Sequence, residues 1–217
     1  MSNKANLYVI AAPSGAGKTS LVKALVQKLS HIKISVSSTT RPPRPNDVEG
    51  VDYCFISKES FDQKIHEGDF LEHAEVYGNY YGTSRSWVMQ QLAEGNDVIL
   101  EIDWQGAQQI RRWMPDSISI FILPPSIEIL EQRLIQRQQD NESVIKKRLD
   151  LARSEIAHID EFDYLVVNAD FEKALDDLLH IVRAGRLRTV SQCERQAELL
   201  RGLLGSEDRR QKTEDRE

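Results

Sequence analysis

The chain has 217 residues, of which 40% are hydrophobic and 29% charged, a composition that fits one globular α/β domain with a sizeable core. Its 28 basic and 34 acidic side chains give a formal net charge of −6, which argues against sequence-independent binding to nucleic acid. No window approaches the roughly 18 apolar residues of a membrane span, and the first residues lack the apolar run of a signal peptide.

The two cysteines, Cys54 and Cys193, lie far apart and in no ligand-like spacing. They predict free thiols, and neither a disulfide framework nor a zinc site. We therefore expect a cytoplasmic protein with no membrane partner and no nucleic-acid partner. The oligomeric state stays open, a homo-oligomer included.

The first predicted element is a strand over residues 7–12, because "LYVIAA" is apolar without alternation. The loop "APSGAGKT" follows it. A helix is predicted next, since apolar side chains then share one helical face at Leu21, Val22, Leu25, Val26 and Leu29. A strand, a glycine-rich loop and a helix in this order present backbone N–H groups at the positive end of a helix dipole, which attracts phosphate oxygens.

The loop nearly matches G-x-x-x-x-G-K-[ST], in which the Lys contacts the β- and γ-phosphates and the hydroxyl coordinates Mg²⁺. Ala12 stands where the pattern has its first Gly, but Gly17, Lys18 and Thr19 keep the end that performs the chemistry. Gly15 and Gly17 allow positive φ angles and a close approach to phosphate. The loop therefore predicts a site for nucleotide phosphates without specifying the reaction.

A second strand is predicted over residues 34–37, after which the regular pattern stops until about residue 94. "RPPRPNDVEGVDYCFIS" is rich in Pro and turn residues, and "FLEHAEVYGNYYGTS" is aromatic and irregular. We interpret this stretch as an inserted subdomain with short antiparallel strands.

Strands and helices resume after the insert. The predicted strands cover 98–102, 118–123 and 164–168; the predicted helices begin after Ser126, a plausible N-cap, and cover about 143–159 and 171–187. Alternating strands and helices imply right-handed crossovers and a doubly wound parallel sheet, so the fold class is α/β. Residues 188–217 are predicted to form a C-terminal helix and a polar, disordered tail.

Four segments in this order resemble the guanylate kinases over roughly residues 6–187: the phosphate loop, "SVSSTTRPPRPNDVEGVDY", "FLEHAEVYGNYYGTS" and "EIDWQGAQQIR". The resemblance implies transfer of the ATP γ-phosphoryl group to GMP, giving ADP and GDP, with Mg²⁺ as cofactor. It also implies a P-loop core of residues 6–36 and 95–187, a GMP-binding α+β insert of about 37–94, and a mobile helical lid of about 126–159. Whether dGMP also serves as acceptor stays open.

The resemblance assigns a set of residues to GMP. They are Ser37, Arg41, Arg44, Tyr53, Glu72, Tyr81, Thr83 and Asp103. The chemistry fits these assignments, because planar guanidinium groups and phenolic O–H donors suit a dianionic phosphate. A carboxylate such as Glu72 can accept both guanine N1–H and the exocyclic amine, a pair of donors that adenine lacks.

A second set is assigned by resemblance to ATP and to catalysis. The ATP-binding residues are Ala12, Pro13, Ser14, Gly15, Ala16, Gly17, Lys18, Thr19 and, near adenine, Asn168; the catalytic residues are Lys18, Arg133, Arg137 and Arg148. Thr19 and Glu101 are the candidate Mg²⁺ ligands, although the family more usually has Asp at the position of Glu101. Gln136 and Gln138 flank Arg137 where many relatives have Gly.

Three other kinds of protein are alternatives to a guanylate kinase. A non-catalytic interaction module of the same fold would lack a working phosphate loop, whereas this chain keeps one. A GTPase switch would need an Asn-Lys-x-Asp motif, and the sequence has none. A nucleoside monophosphate kinase with another base specificity would differ in its acceptor, which a comparison of GMP, AMP, UMP and dTMP would reveal.

Overall fold

The computed structural model describes residues 5–45, 47–76, 78–136 and 141–204. In chain order its elements are β1 (Leu7–Ala11), α1 (Lys18–Lys28), β2 (Ile32–Ile34), β3 (Ser38–Thr39), β4 (Cys54–Phe55), α2 (Lys58–His66), β5 (Phe70–Val76), β6 (Asn79–Ser84), α3 (Arg85–Ala93), β7 (Asp97–Glu101), α4 (Trp104–Trp113), β8 (Ile118–Leu123), α5 (Ile127–Gln136), α6 (Glu142–Ile156), a 3-10 turn (Ile159–Glu161), β9 (Tyr164–Val167), α7 (Phe171–Arg186), α8 (Thr189–Arg195) and α9 (Ala197–Leu204).

A five-stranded parallel sheet forms the centre of the molecule, with the strand order β2-β7-β1-β8-β9. Its strands lack alternation because both faces are covered: β1, for example, is buried along its whole length. One face packs against α1 and α7, and the other against α3 and α4. The carboxyl ends of β1 and β7 are neighbours, which is where ligands bind in open α/β sheets.

A second, four-stranded sheet of order β4-β3-β6-β5 is built from the stretch that interrupts the α/β pattern. β5 and β6 form a hairpin, and β3 pairs antiparallel with β6. The expectation of antiparallel strands throughout is wrong for one pair, since β3 and β4 run parallel. The segment between them is long enough to return the chain to the same end of the sheet, which a parallel pair requires.

The strand predicted over residues 34–37 lies earlier in the sequence, at Ile32–Ile34. Ser35 still donates its N–H to the Ile99 carbonyl at 2.9 Å, but the Ser37 carbonyl already accepts from Cys54 N at 2.9 Å in the second sheet. The chain therefore leaves the central sheet within this apolar run. Helices α2, α3 and α4 are additions to the sequence-based pattern.

Helices α5 and α6 pack together through Leu130, Leu134, Ile145 and Leu149. The predicted N-cap is confirmed, since the Ser126 hydroxyl accepts from Ile129 N at 3.2 Å. Helix α6 ends earlier than predicted, at Ile156, and a short 3-10 turn follows. Arg137 and Gln138 lie outside the described residues.

The C-terminal region holds two short helices, α8 and α9, where one was predicted, and the predicted tail from residue 205 lies outside the described residues. Both cysteines are free thiols, as predicted, with Cys54 half-buried and Cys193 exposed. Within residues 5–204, less the gaps given above, no helix is both long enough and apolar enough to cross a bilayer.

Candidate active site

The loop between β1 and α1 has the backbone conformation that its glycines predicted. Gly15 and Gly17 have φ angles of 99° and 94°, and Gly17 is the N-cap of α1. Ala16 N donates to the Pro13 carbonyl at 3.0 Å, which closes the turn. This conformation leaves N–H groups at the start of α1 to face the cavity described below.

The side chains of Asn168 and Arg133 hold this loop through hydrogen bonds to one of its carbonyl groups. Asn168 Nδ2 donates to the Ala16 carbonyl at 2.7 Å, and Arg133 reaches the same carbonyl at 3.4 Å and the Asn168 carbonyl at 3.0 Å. Because the two ends of a trans peptide unit point in opposite directions, drawing the Ala16 carbonyl inward turns the Gly17 N–H outward. Asn168 is buried, and its side chain helps to hold the loop in place.

Lys18 and Thr19 face the carboxyl end of β7. Lys18 Nζ donates to the Ile102 carbonyl at 3.1 Å, and the Thr19 hydroxyl donates to Glu101 Oε2 at 2.9 Å. The two acids of "EIDWQG" therefore have different places: Glu101 contacts the loop, whereas Asp103 caps α4 by accepting from Gly106 N at 2.9 Å. Asp103 also lines the cavity while it caps α4.

Arg41 and Arg44 are fixed by one carboxylate. Arg41 Nη2 forms an ion pair with Asp47 Oδ2 at 2.7 Å, and the Arg44 backbone N–H donates to the same oxygen at 2.8 Å. The Arg41 guanidinium lies 5.2 Å from the centre of the Tyr53 ring, and Tyr53 meets Tyr81 edge to face at 5.8 Å. All four predicted phosphate-binding side chains thus line one wall of the cavity.

The Tyr53 phenol is kept in its protonated form, which can donate a hydrogen bond. Burial, with Tyr81 beside it, raises the pKa of the Tyr53 phenol above its ordinary value. The O–H therefore stays protonated at neutral pH and can donate to an anion without adding a negative charge.

Glu72 is a buried acid that lines the same cavity, and it is only 3% exposed. It accepts from the Thr83 hydroxyl at 2.5 Å, and burial, helped by the charge of Asp103, raises its pKa to about 7. Thr83 is itself fully buried and acts through Glu72. A Cβ on Gly106 would lie 2.6 Å from Glu72 Oε2, so α4 approaches this carboxylate closely because residue 106 is Gly.

One cavity of about 750 Å³ joins these groups. Its lining includes Ser14 and Lys18 of the loop, Arg41 and Arg44, and Ser37 with Glu72. This volume is within the range of small-molecule sites, which is about 300–1,000 Å³. A phosphate-binding loop, an arginine pair and a buried carboxylate therefore open onto a single space.

A family model described as "Guanylate kinase" matches residues 4–185 of the chain. The chain is 58% identical over 202 residues to a guanylate kinase of Coxiella burnetii, with 93% of this chain and 98% of that protein covered. It is also 58% identical over 204 residues to one of Alcanivorax borkumensis, with coverages of 94% and 99%.

A crystal structure of guanylate kinase from Anaplasma phagocytophilum resembles the fold with a TM-score of 0.77 at 35% identity, covering 95% of this chain and 96% of that one. The chain belongs to the guanylate kinase family. Membership of this family implies nucleotide-dependent kinase chemistry. This guanylate kinase family member keeps Gly17, Lys18 and Thr19, which a non-catalytic relative would lack, and Lys18 and Thr19 bond to residues 102 and 101 at the end of β7.

Sequence reasoning missed three residues of this family member's site. Asp47 fixes the positions of Arg41 and Arg44, and Gly106 leaves room for Glu72.

The third residue, Glu155 of α6, lines the cavity. Burial raises the pKa of Glu155 to about 7; the positive charge of Lys18 lowers this pKa, and the negative charge of Asp103 raises it. Glu155 lies seven residues after Arg148, two helical turns along the same face, and Arg148 Nη1 lies 3.5 Å from the Ser14 hydroxyl. That spacing was the available signal for Glu155.

Proposed function

We infer that the chain is an ATP:GMP phosphotransferase, which moves the γ-phosphoryl group of ATP to GMP and produces ADP and GDP. One observation carries this inference: the phosphate loop and the buried carboxylate of Glu72 open onto the same cavity, with Arg41 and Arg44 in its wall. Two nucleotides can therefore meet there with a phosphate of each near Lys18 and the arginines.

Glu72 gives the acceptor site its preference for guanine. Its carboxylate would accept guanine N1–H and the exocyclic amine together, with Ser37 as a further polar group in the lining. Adenine offers no such pair of donors, so a desolvated carboxylate would stay unpaired beside it. The Thr83 hydroxyl orients Glu72 for this contact.

Arg41, Arg44, Tyr53 and Tyr81 would hold the phosphate of GMP, because two guanidinium groups and two phenols match its charge and its acceptor oxygens. The loop amides and Lys18 would hold the ATP phosphates, and Arg148 lies beside the loop at Ser14. The proposal keeps a catalytic role for Arg133 and Arg137 and a place for Asn168 near adenine; in the structure Arg133 contacts the carbonyls of Ala16 and Asn168.

Mg²⁺ fits the oxygen donors beside the loop. The Thr19 hydroxyl and the Glu101 carboxylate are hydrogen-bonded at 2.9 Å, and one hydroxyl with one carboxylate suits an ion that keeps several waters and binds substrate phosphates. Within the described ranges, no group of three or more His, Cys, Asp or Glu side chains converges on a metal position. Thr19 and Glu101 would hold Mg²⁺, which would neutralise phosphate charge.

The reaction needs no nucleophilic side chain. An oxygen of the GMP phosphate attacks the γ-phosphorus in line, and the bond from that phosphorus to the β–γ bridging oxygen breaks to release ADP. The protein aligns two anions that repel each other, and Lys18 with the arginines offsets the growing charge. We propose that residues 37–94 close as the GMP-binding unit, and residues 126–159 as a lid, to exclude water.

The compartment belongs to the proposal as well. The described cysteines are free thiols, which agrees with a reducing environment, and we keep a cytoplasmic location with no membrane or nucleic-acid partner.

The decisive experiment compares GMP, AMP, UMP and dTMP as acceptors in a coupled assay for ADP. We expect turnover with GMP to exceed that with the others by orders of magnitude. Lys18→Ala should lower kcat by orders of magnitude in a folded protein, and Arg44→Ala should chiefly raise the KM for GMP. Preference for another acceptor would assign a different nucleoside monophosphate kinase, and binding of GMP without turnover would indicate an interaction module.

A further inference from the structure

Helix α4 contacts the guanine-binding wall through one face. Gln109 Nε2 donates to the His73 carbonyl at 2.7 Å, and His73 N donates back to Gln109 Oε1 at 3.2 Å. The side-chain amide therefore pairs with β5 as a neighbouring strand would, at the residue that follows Glu72. Gly106, three residues earlier, lies against the Glu72 carboxylate. Because α4 contacts both Glu72 and the residue after it, a movement of Glu72 requires α4 to move with it, and a rigid α4 opposes that movement.

The same helix holds the end of α6 through another face. The Trp104 ring stacks on His158 with centres 3.7 Å apart and planes 7° from parallel. Gln108 Nε2 donates to both carboxylate oxygens of Glu161 at 3.0 Å, and Arg111 Nη1 reaches Glu161 Oε2 at 3.1 Å. Residues 104, 108 and 111 follow helical spacing and share one face.

His158 connects this contact to α6. It lies two residues beyond the end of that helix, and its Nδ1 is 2.8 Å from Glu161 Oε1. Helix α6 carries Arg148 and Glu155 into the cavity. The Trp104–His158 stack therefore sets the end of the helix whose other residues face the nucleotide phosphates.

We propose that α4 couples occupation of the guanine site to the placement of α6, with Trp104 as the positioning residue that makes the connection. The proposal rests on the function proposed above. When Glu72 takes guanine, the change at Gly106 and Gln109 moves or stiffens α4, and the stack passes it to α6 and Arg148. GMP and ATP then bind with positive cooperativity, which is a coupling free energy between two sites and acts equally in both directions.

Trp113 provides a matched control on the same helix. It is 65% exposed, and its ring lies under the Arg85 guanidinium at 5.1 Å, away from His158. Both substitutions remove a large aromatic side chain from α4. A difference between them therefore reports the stack rather than the general loss of an indole.

The test measures the affinity for GMP by calorimetry with and without Mg²⁺ and a non-hydrolysable ATP analogue. We expect the analogue to tighten GMP binding in the wild type by roughly tenfold, and Trp104→Ala to lower that factor to about two or less. Each nucleotide alone should bind Trp104→Ala within about threefold of wild type. Trp104→Phe should recover part of the coupling, and Trp113→Ala should keep all of it.

The outcomes separate this proposal from the function. Equal coupling in wild type and Trp104→Ala would overturn the role of Trp104, and so would an equal loss of affinity for each nucleotide alone. If GMP failed to bind the wild type or to accept phosphate, the proposed function itself would fail. Should Trp104→Ala not fold, His158→Leu breaks the stack from the other side and carries the same expectation.

Tryptophan fluorescence tests the coupling without a change to the Trp104–His158 stack. The sequence has three tryptophans, so Trp87→Phe with Trp113→Phe leaves Trp104 as the reporter. We expect GMP alone to change the Trp104 emission, because the guanine site and the stack contact one helix. Emission that responds to the ATP analogue but not to GMP would refute the coupling.

Discussion

At the scale of single residues, the acids of the cavity derive their chemistry from their surroundings. In the sequence, Glu72 is one acid among many; in the structure it is 3% exposed, beside Asp103, with a pKa raised to about 7. The carboxylate needed for two guanine donors is therefore partly protonated in the empty protein near neutral pH. Binding of guanine must displace that proton.

We predict that GMP binding at about pH 6.5 releases most of one proton from Glu72, since the free group has a pKa of about 7 and the bound group must be ionised. Affinity for GMP should accordingly weaken as the pH falls below 7. Calorimetry in two buffers of different ionisation enthalpy measures the released proton.

Glu72→Gln is the control, because it retains the shape of the side chain and cannot ionise. The phosphate of GMP and Glu155 titrate equally in both proteins, so the difference isolates Glu72. The effect of Glu72 on stability has the opposite sign to that of an acid in an ion pair. The folded protein holds the proton up to about pH 7, whereas the unfolded chain loses it near pH 4.5. The contribution of Glu72 to the free energy of unfolding therefore decreases as the pH rises from 4.5 to 7. Identical proton release in both proteins would contradict the assignment.

At the scale of elements, the β1–loop–α1 unit depends on residues that are distant in sequence. Its backbone conformation is local, and the glycines dictate it. Its orientation is not local, because Asn168 after β9 and Arg133 of α5 fix the Ala16 carbonyl. The sequence pattern predicted the loop, but it did not predict that Asn168 and Arg133 hold it, because contacts between distant segments are a tertiary property.

We predict that Gly17→Ala lowers the free energy of unfolding by about 2–4 kcal/mol and kcat/KM by more than tenfold. The residue has φ of +94°, and a Cβ there would collide with Asn168 Nδ2, so the new methyl group would break the bond that orients the loop. Chemical denaturation and steady-state kinetics measure the two effects.

Gly68→Ala is the matched control. Gly68 has φ of +67°, but a Cβ there would meet no atom within 4 Å. It should lose only the conformational term, about 1 kcal/mol, with unchanged kinetics. Equal effects of the two substitutions would show that the contact with Asn168 is unimportant.

At the scale of the whole molecule, Asp97 joins the two ends of the folded chain. This fully buried carboxylate at the start of β7 accepts from Asn6 N at 2.7 Å and from Arg186 Nε at 2.7 Å. Arg195 Nη2 lies 3.5 Å from Asp97 Oδ1, the oxygen that accepts from Asn6, and Arg186 Nη2 also donates to the Ser30 carbonyl at 2.7 Å. The network lies at the amino end of β7, whereas the cavity lies at its carboxyl end.

We predict that Asp97→Asn lowers the free energy of unfolding by about 3 kcal/mol, because it leaves the half-buried guanidinium groups of Arg186 and Arg195 without their anionic partner. Below the unfolding transition, kcat and KM should stay within about twofold of wild type, since none of these residues lines the nucleotide cavity. Denaturant unfolding and steady-state kinetics provide the two values.

Asp150→Asn serves for comparison. Asp150 pairs with Arg153 at 3.4 Å on the surface of α6, and both side chains are more than half exposed. Its loss should change the free energy of unfolding by at most about 0.5 kcal/mol. A similarly small change in Asp97→Asn would indicate that the buried network does not stabilise the fold.

The sequence alone was sufficient to predict the α/β class, the phosphate loop and the family, because apolar runs, glycine positions and a Gly-Lys-Thr triplet are local properties that do not depend on distant contacts. It also predicted five sheet strands, with one displaced. It did not predict that β3 and β4 run parallel, that Asn168 bonds to the loop, or that Glu72, Glu155 and Asp103 line one cavity. Pairing partners, burial and pKa depend on residues brought together from distant parts of the chain, and a linear pattern does not contain those distances.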